Sequence, residues 1–234
     1  MMNRQEFLNH LLQTYQLVTV LADKNDCRVL RLRHKTLQKD IAVRLYAQSV
    51  EAYDLLIGVK ADCLPEIYDV IALSDGQAVL EEFIHGATVG DLLLSEQFRY
   101  RGAARILRQV CFALSILHQK NLVHRDVKPE NVMLTPNGRV VLLDLNAARQ
   151  LSQNTQDTVI MGTVGYAPPE QFGISQSDAR ADIYAVGVML NVMLTGRHPS
   201  EQLADGCARR IVRKCTRVNP NDRYQTAERL ARAL

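Results

Sequence analysis

From Arg101 to Asn121 the apolar residues Ile106, Val110, Ala113, Leu114 and Leu117 recur three and four apart, which predicts a helix with one buried face. A shorter stripe near the start, with Phe7, Leu8, Leu11, Leu12 and Tyr15 on one side, predicts another. Between them the period falls to two. Residues 16–35 read as a hairpin, and 39–46 as a third strand in which Ile41, Val43 and Leu45 oppose Ala42, Arg44 and Tyr46. Past the long helix, the apolar runs within 132–144 are divided by Pro136, Asn137 and Gly138, which predicts a second hairpin leading to Asp144. A further helix is expected to begin near Arg210.

The stretch "HRDVKPEN", residues 124–131, breaks the periodic pattern between the long helix and the second hairpin. Pro129 drives Lys128 out of the α region, so these residues are expected in an ordered loop. An acid, a base and an amide within eight positions, followed by a second carboxylate after a hairpin, is a group that can move a proton and hold a cation.

This order of helix, loop, hairpin and carboxylate resembles the protein kinases, and among them the bacterial Hanks-type, eukaryotic-like serine/threonine kinases. The resemblance covers nearly the whole chain. It implies an α+β, bilobal fold with a small, mainly β N-lobe over residues 1–84, including the N-terminal helix and the hinge, and a larger, mainly α C-lobe over 85–234. It implies Asp126 as the acceptor of the substrate hydroxyl proton, Lys128 beside the transferred phosphate as in serine/threonine kinases, and Asn131 and Asp144 as magnesium or manganese ligands. "GTVGYAPPE" at 162–170 resembles the end of an activation segment and includes Thr163 and Glu170. Asp182 matches the aspartate that holds the catalytic-loop backbone, and Arg223 in "NPNDRY" the arginine that pairs with Glu170. Arg125 beside Asp126 suggests control by a phosphate in the activation segment, with Ser152, Thr155 and Thr158 as candidates.

The N-terminal third departs from the family pattern. The three positions of the glycine-rich loop hold Ala22, Lys24 and Cys27, the lysine of the third strand is replaced by Arg44, and the D-F-G segment reads Asp144-Leu145-Asn146. Asparagine tolerates left-handed backbone and can stand in for glycine there. By the same alignment Val29, Ala42 and Met133 sandwich adenine, and the main chain of Glu82 and Ile84 meets its edge. Glu51, on an expected helix that also carries Leu55, is the expected partner of Arg44, with Glu81 a competitor. Lys24 or Arg28 is a candidate to replace the missing lysine charge, as in the with-no-lysine kinases.

Two function classes follow. One is an ATP-dependent serine/threonine kinase that transfers the γ-phosphoryl group to a protein hydroxyl, with reduced activity possible given Arg44. The other is a pseudokinase that binds nucleotide or scaffolds. A small-molecule phosphotransferase fits less well, because those enzymes generally lack the "GTVGYAPPE" and "NPNDRY" elements. A formal net charge of +3 and an isoelectric point near 8.6 imply no nucleic-acid partner, and Arg99, Arg101, Arg105 and Arg108 read as a solvated helix face. Five cysteines without metal-ligand spacing read as free thiols. No apolar run is long enough to span a bilayer, so a cytoplasmic chain is expected.

Overall fold

The computed structural model describes residues 1–24, 26–150, 163, 165–172 and 178–234. They form two compact units, the first Met1–Ala61 with Pro65–Ile84, the second Asp62–Leu64 with His85–Leu234. The proposed phosphosites Ser152, Thr155 and Thr158 lie outside the described residues.

In the first unit, helix α1 (Arg4–Thr14) opens with a capping box: Asn3 Oδ1 accepts from the Glu6 amide and the Glu6 carboxylate accepts from the Asn3 amide, both at 2.9 Å. Five antiparallel strands follow, β1 (Tyr15–Asp23), β2 (Cys27–His34), β3 (Asp40–Tyr46), β4 (Ile67–Leu73) and β5 (Gly76–Glu82), in the spatial order β1-β2-β3-β5-β4. Strand alternation sends Leu30, Leu32, Val43, Leu45 and Ala78 to one face, where Phe7 and Leu8 of α1 close over them. The other face of β3 presents Ala42, Arg44 and Tyr46, which are also buried. Register places Arg44 opposite Val29 on β2 and Val79 on β5, and Ala42 opposite Glu81.

At the start of β3, Asp40 accepts from Arg31 and from Arg33. The hydrogen bond from Arg33, opposed by burial and assisted by Arg31, pulls this carboxyl down to about 2.

The helix expected around Glu51 and Leu55 does not form. Between β3 and β4 there is one 3₁₀ turn, Asp54–Leu56, and the buried side chains are Ala52, Tyr53 and Leu56. Two polar contacts fix this segment to the sheet: the Val50 amide donates to Gln77 Oε1 at 2.9 Å, and the Tyr46 and Tyr53 hydroxyls meet at 2.9 Å.

The second unit contains β6 (Ala87–Thr88), α2 (Val89–Leu93), α3 (Tyr100–Gln119), β7 (Leu122–Val123), β8 (Val132–Leu134), β9 (Val140–Leu142), β10 (Arg149–Gln150), α4 (Ala179–Thr195), α5 (Gly206–Cys215) and α6 (Ala227–Ala233). Strands β6, β8 and β9 form one small sheet, and β7 pairs with β10. The hairpin expected from "TPNGR" is the β8–β9 pair, with Met133 opposite Val141. Helix α3 buries Ile106, Val110, Ala113, Leu114 and Leu117, the apolar stripe seen in the sequence, together with Leu107 and Cys111.

Helix α4 is the centre of this unit and buries both apolar and polar residues. Asn191, fully buried, donates to the carbonyls of Arg197 and Gln202 at 2.8 and 2.7 Å and accepts from the Ala204 amide at 2.8 Å, so one amide pins the loop after the helix. Gly187 allows α5 to come close, since a Cβ there would lie 2.2 Å from Cys215 Cβ.

Two stability measurements check these contacts. Gly187→Ala forces α4 and α5 apart and is expected to lower stability by about 1–3 kcal/mol, read as a lower urea midpoint at unchanged slope. Asp40 has a folded value below its unfolded one, so its contribution is complete above about pH 4 and is lost as pH falls toward 2. Asp40→Asn should therefore flatten the pH dependence of the urea midpoint across that window and lower the plateau above it.

Candidate active site

The loop between β7 and β8 is held by a carboxylate. Asp182, in the first turn of α4 and fully buried, accepts from the His124 amide at 3.0 Å and the Arg125 amide at 2.8 Å, while His118 Nε2 donates to it at 2.8 Å. Burial pushes this carboxyl up, but the hydrogen bonds from His118 and the His124 amide outweigh it and leave the group below the usual carboxylate range. Arg125 has a φ of 67°, a left-handed conformation costing about 1–2 kcal/mol for a non-glycine residue. It is fixed from both sides, because its amide donates to Asp182 and its carbonyl accepts from Gln171 Nε2 at 2.8 Å.

The same loop is tied to the segment after β9. His124 Nδ1 accepts from the Asp126 amide, so its Nε2 carries the proton donated to the Leu143 carbonyl at 3.0 Å. The Leu143 amide in turn donates to the Asn131 carbonyl at 2.8 Å. Both main-chain groups of Leu143 thus point into the loop, and the next residue, Asp144, turns with a φ of 64°.

Around Asp126, three side chains converge. Thr163 Oγ1 donates to Oδ1 at 2.6 Å, and Asn131 Nδ2 and Lys128 Nζ lie 3.0 and 2.8 Å from Oδ2. Lys128 also donates to Thr163 Oγ1 at 2.7 Å. A carboxylate has about four lone-pair sites, so this arrangement orients the group and leaves about one acceptor position over. Burial raises the Asp126 carboxyl, and the contacts with Lys128, Thr163 and Asn131 bring it below the ordinary range, which keeps it ionised at neutral pH.

Asn131 spends its Nδ2 on the Asp126 carbonyl and carboxylate, which turns Oδ1 away from that pair. The Asn131 amide oxygen and the Asp144 carboxylate are both hard oxygen donors, a chemistry that suits a hard divalent cation. The residues present fit such an ion. Among the described residues there is no group of three His, Cys, Asp or Glu side chains placed to hold a metal by themselves.

Residues Gly165 and Glu170 are held by side chains from the loops that follow α4 and α5. Glu170 and Arg223 form a two-pronged pair at 2.6 and 2.9 Å, both buried, and Arg223 also donates to the carbonyls of Arg180, Arg217 and Val218. His198 Nδ1 accepts from the Ser200 amide, so its Nε2 donates to the Gly165 carbonyl at 2.9 Å.

In the first unit, Arg44 Nε lies 2.6 Å from Glu81 Oε1, both side chains nearly buried. The expected partner Glu51 lies in an exposed turn, and the pairing with it is corrected here: the missing helix leaves the sheet register to decide, and that register puts Glu81 diagonal to Arg44 on the same face. Lys24 is exposed at the β1–β2 turn, and Arg28 pairs with Asp23 across it at 3.4 Å. Val29 and Ala42 sit on the Arg44 side of the sheet, Glu82 ends β5, Ile84 is buried at the end of the unit, and Met133 lies on β8 of the second unit.

Sequence reading missed His118, Gln171, His198 and Asn191. Their partners are main-chain groups or a distant carboxylate, so no local pattern marks them; the position of His118 at the end of an amphipathic helix is the one available hint.

A catalytic loop anchored by a buried aspartate and an activation-segment glutamate clamped by arginine define a protein kinase-like domain. The "Protein kinase domain" family model matches residues 35–232, and the chain belongs to that family. It is 32% identical over 177 residues to the serine/threonine-protein kinase PknB of Mycolicibacterium smegmatis, covering 64% of this chain and 28% of that protein. The PknB of Mycobacterium tuberculosis strain H37Rv is 26% identical over an alignment of 267 residues covering 94% of this chain and 42% of the relative. A probable serine/threonine-protein kinase of Corynebacterium efficiens is 37% identical over 128 residues, 53% of this chain and 19% of its own length. The chain thus spans less than half the length of these relatives. Among the described residues, no helix is long and apolar enough to cross a membrane.

Truncating Glu81 tests the pairing in the first unit. Glu81→Ala leaves the Arg44 charge buried without its carboxylate and is expected to cost about 3–5 kcal/mol in a chemical-denaturation midpoint. Glu51→Ala, at an exposed turn, should stay within about 0.5 kcal/mol of the parent.

Proposed function

We propose that this chain is an ATP-dependent serine/threonine protein kinase, and the observation that carries the reading is the Asp126–Lys128–Asn131–Thr163 cluster beside the Asp144 turn. Asp126, ionised and oriented, accepts the proton of the incoming hydroxyl. Lys128, between Asp126 and Thr163, supplies positive charge where the transferred phosphoryl group gathers negative charge. Asn131 Oδ1 and the Asp144 carboxylate would hold the divalent ion, which neutralises charge on the phosphates when bound. Most of the rate enhancement in such a site comes from placing the hydroxyl in line and stabilising charge. The adenine assignments of Val29, Ala42, Glu82, Ile84 and Met133 are part of this proposal. A protein hydroxyl as acceptor is supported by the clamped segment ending at Glu170. Arg125 also remains, in this reading, a candidate grip for an activation-segment phosphate.

A second reading, a pseudokinase, is favoured by one observation: the third-strand cation is already engaged by a buried carboxylate, and the helix that would carry its usual partner is reduced to a single turn. Such an arrangement weakens the attraction of Arg44 for phosphate without removing the base or the metal donors.

Incubation with labelled ATP, magnesium or manganese, and a generic basic protein separates the two. Transfer by the parent that falls by roughly 10³-fold or more in Asp126→Asn supports the kinase. Absence of transfer in both, with the chain folded and nucleotide bound, supports the pseudokinase.

A further inference from the structure

We propose that the groove along α5 docks an acidic stretch of the protein acceptor; this rests on the kinase reading for the identity of what is docked, and on the groove itself for its chemistry. Arg210, Arg213, Lys214 and Arg217 stand at positions i, i+3, i+4 and i+7, one face of α5 and the residues just beyond it, and all four are exposed. They line a cavity of about 660 Å³ whose remaining wall residue is Asp222. Four cations against one carboxylate give this groove a surplus as large as the formal net charge of the whole chain, +3. Among the described residues no ion pair engages Arg210, Arg213 or Arg217, and Lys214 Nζ rests 4.4 Å above the Tyr224 ring.

An adjoining groove of about 610 Å³ shares Arg213, Arg217 and Asp222 and continues to His198, Pro199 and Ser200. His198 donates to the carbonyl of Gly165, two residues after the hydroxyl that contacts Asp126. The basic face is therefore connected through one loop to the segment that carries Thr163. Ten residues, 196–205, separate α4 from α5 with no helix between them, which leaves the basic face of α5 open.

The dimensions favour a polypeptide. Five helical steps to Cys215 and two further residues to Arg217 cover roughly 10–14 Å, the length of about three or four extended residues, so the four cations match a short run of Asp or Glu. A nucleic-acid track or a bilayer would engage a longer or flatter surface than these two concave pockets offer. Such a contact adds affinity for acceptors bearing acidic residues beside the phosphorylated one. It acts on binding and leaves the chemical step alone.

The test uses a fluorescein-labelled oligoaspartate peptide, its anisotropy measured at about 0.15 M salt, where surface charge is partly screened. The full chain is compared with Arg213→Glu/Arg217→Glu and with Arg101→Glu/Arg105→Glu, a charge-matched change on the exposed face of α3; circular dichroism confirms that all three fold. The expected result is roughly tenfold weaker peptide binding in the α5 variant only. In steady-state transfer to an acceptor peptide extended by aspartates, the α5 variant should raise KM with kcat unchanged. No peptide binding by the parent, or equal losses in both variants, overturns the proposal. Tighter, α5-dependent binding of an oligodeoxythymidine or of phosphatidylserine vesicles overturns it as well, by giving the groove to another occupant. If no chain transfers phosphate, the kinase reading fails while selective peptide binding still upholds the acidic-peptide site.

Discussion

The arrangement of the second unit depends on the Asp182 carboxylate. It is buried in the first turn of α4, where unsatisfied amides at a helix start favour a negative charge, and it takes three donors from two other elements. Without those donors the charge would not tolerate burial. With them, it fixes a loop backbone that includes a left-handed arginine and so sets where Asp126 can point. The loop then passes its order on: His124 and Asn131 hold both main-chain groups of Leu143, and the direction of Asp144 follows. A helix, a loop and a post-hairpin turn are thereby referred to one side chain.

Each unit also contains a buried arginine–carboxylate pair, and the two differ in kind. Arg223 and Glu170 meet in two-pronged geometry, with three further carbonyls absorbing the guanidinium donors, so the charge is well compensated. That pair is structural and fixes the segment after Thr163. Arg44 and Glu81 lie diagonally across neighbouring strands on the face that also presents Val29 and Ala42. Here the pair decides how much positive charge β3 can offer to an anion, and the arginine is held by a strand neighbour that cannot move independently of the sheet.

Legibility in the sequence followed the range over which a pattern acts. The amphipathic stripe of α3, the alternation of β3 and the β8–β9 turn are local, and the chain carries them as periodicity and turn chemistry. The loop at 124–131 was legible because its functional residues are contiguous. Glu170 and Arg223 stand far apart in sequence, and only resemblance joined them. The Glu51 reading failed for a tertiary reason: Gln77 and Tyr46, reaching from the sheet, capture Val50 and Tyr53, and the residues that follow make only a single 3₁₀ turn. Gln171, His198 and Asn191 were invisible because a donor aimed at a main-chain carbonyl has no signature in its own neighbourhood.

The lid formed by α1 bears on where this domain can be cut. The family match starts at residue 35, yet Phe7, Leu8, Leu30 and Leu32 cover the apolar side of β3 that holds Val43 and Leu45. A fragment trimmed to the matched span would lose two strands and the cap, baring a sheet edge and an oily face at once. Such a surface recruits neighbouring chains. For this protein the leading thirty-four residues supply Phe7, Leu8, Leu30 and Leu32 to the hydrophobic interior, and a boundary drawn from similarity alone would yield a sticky fragment.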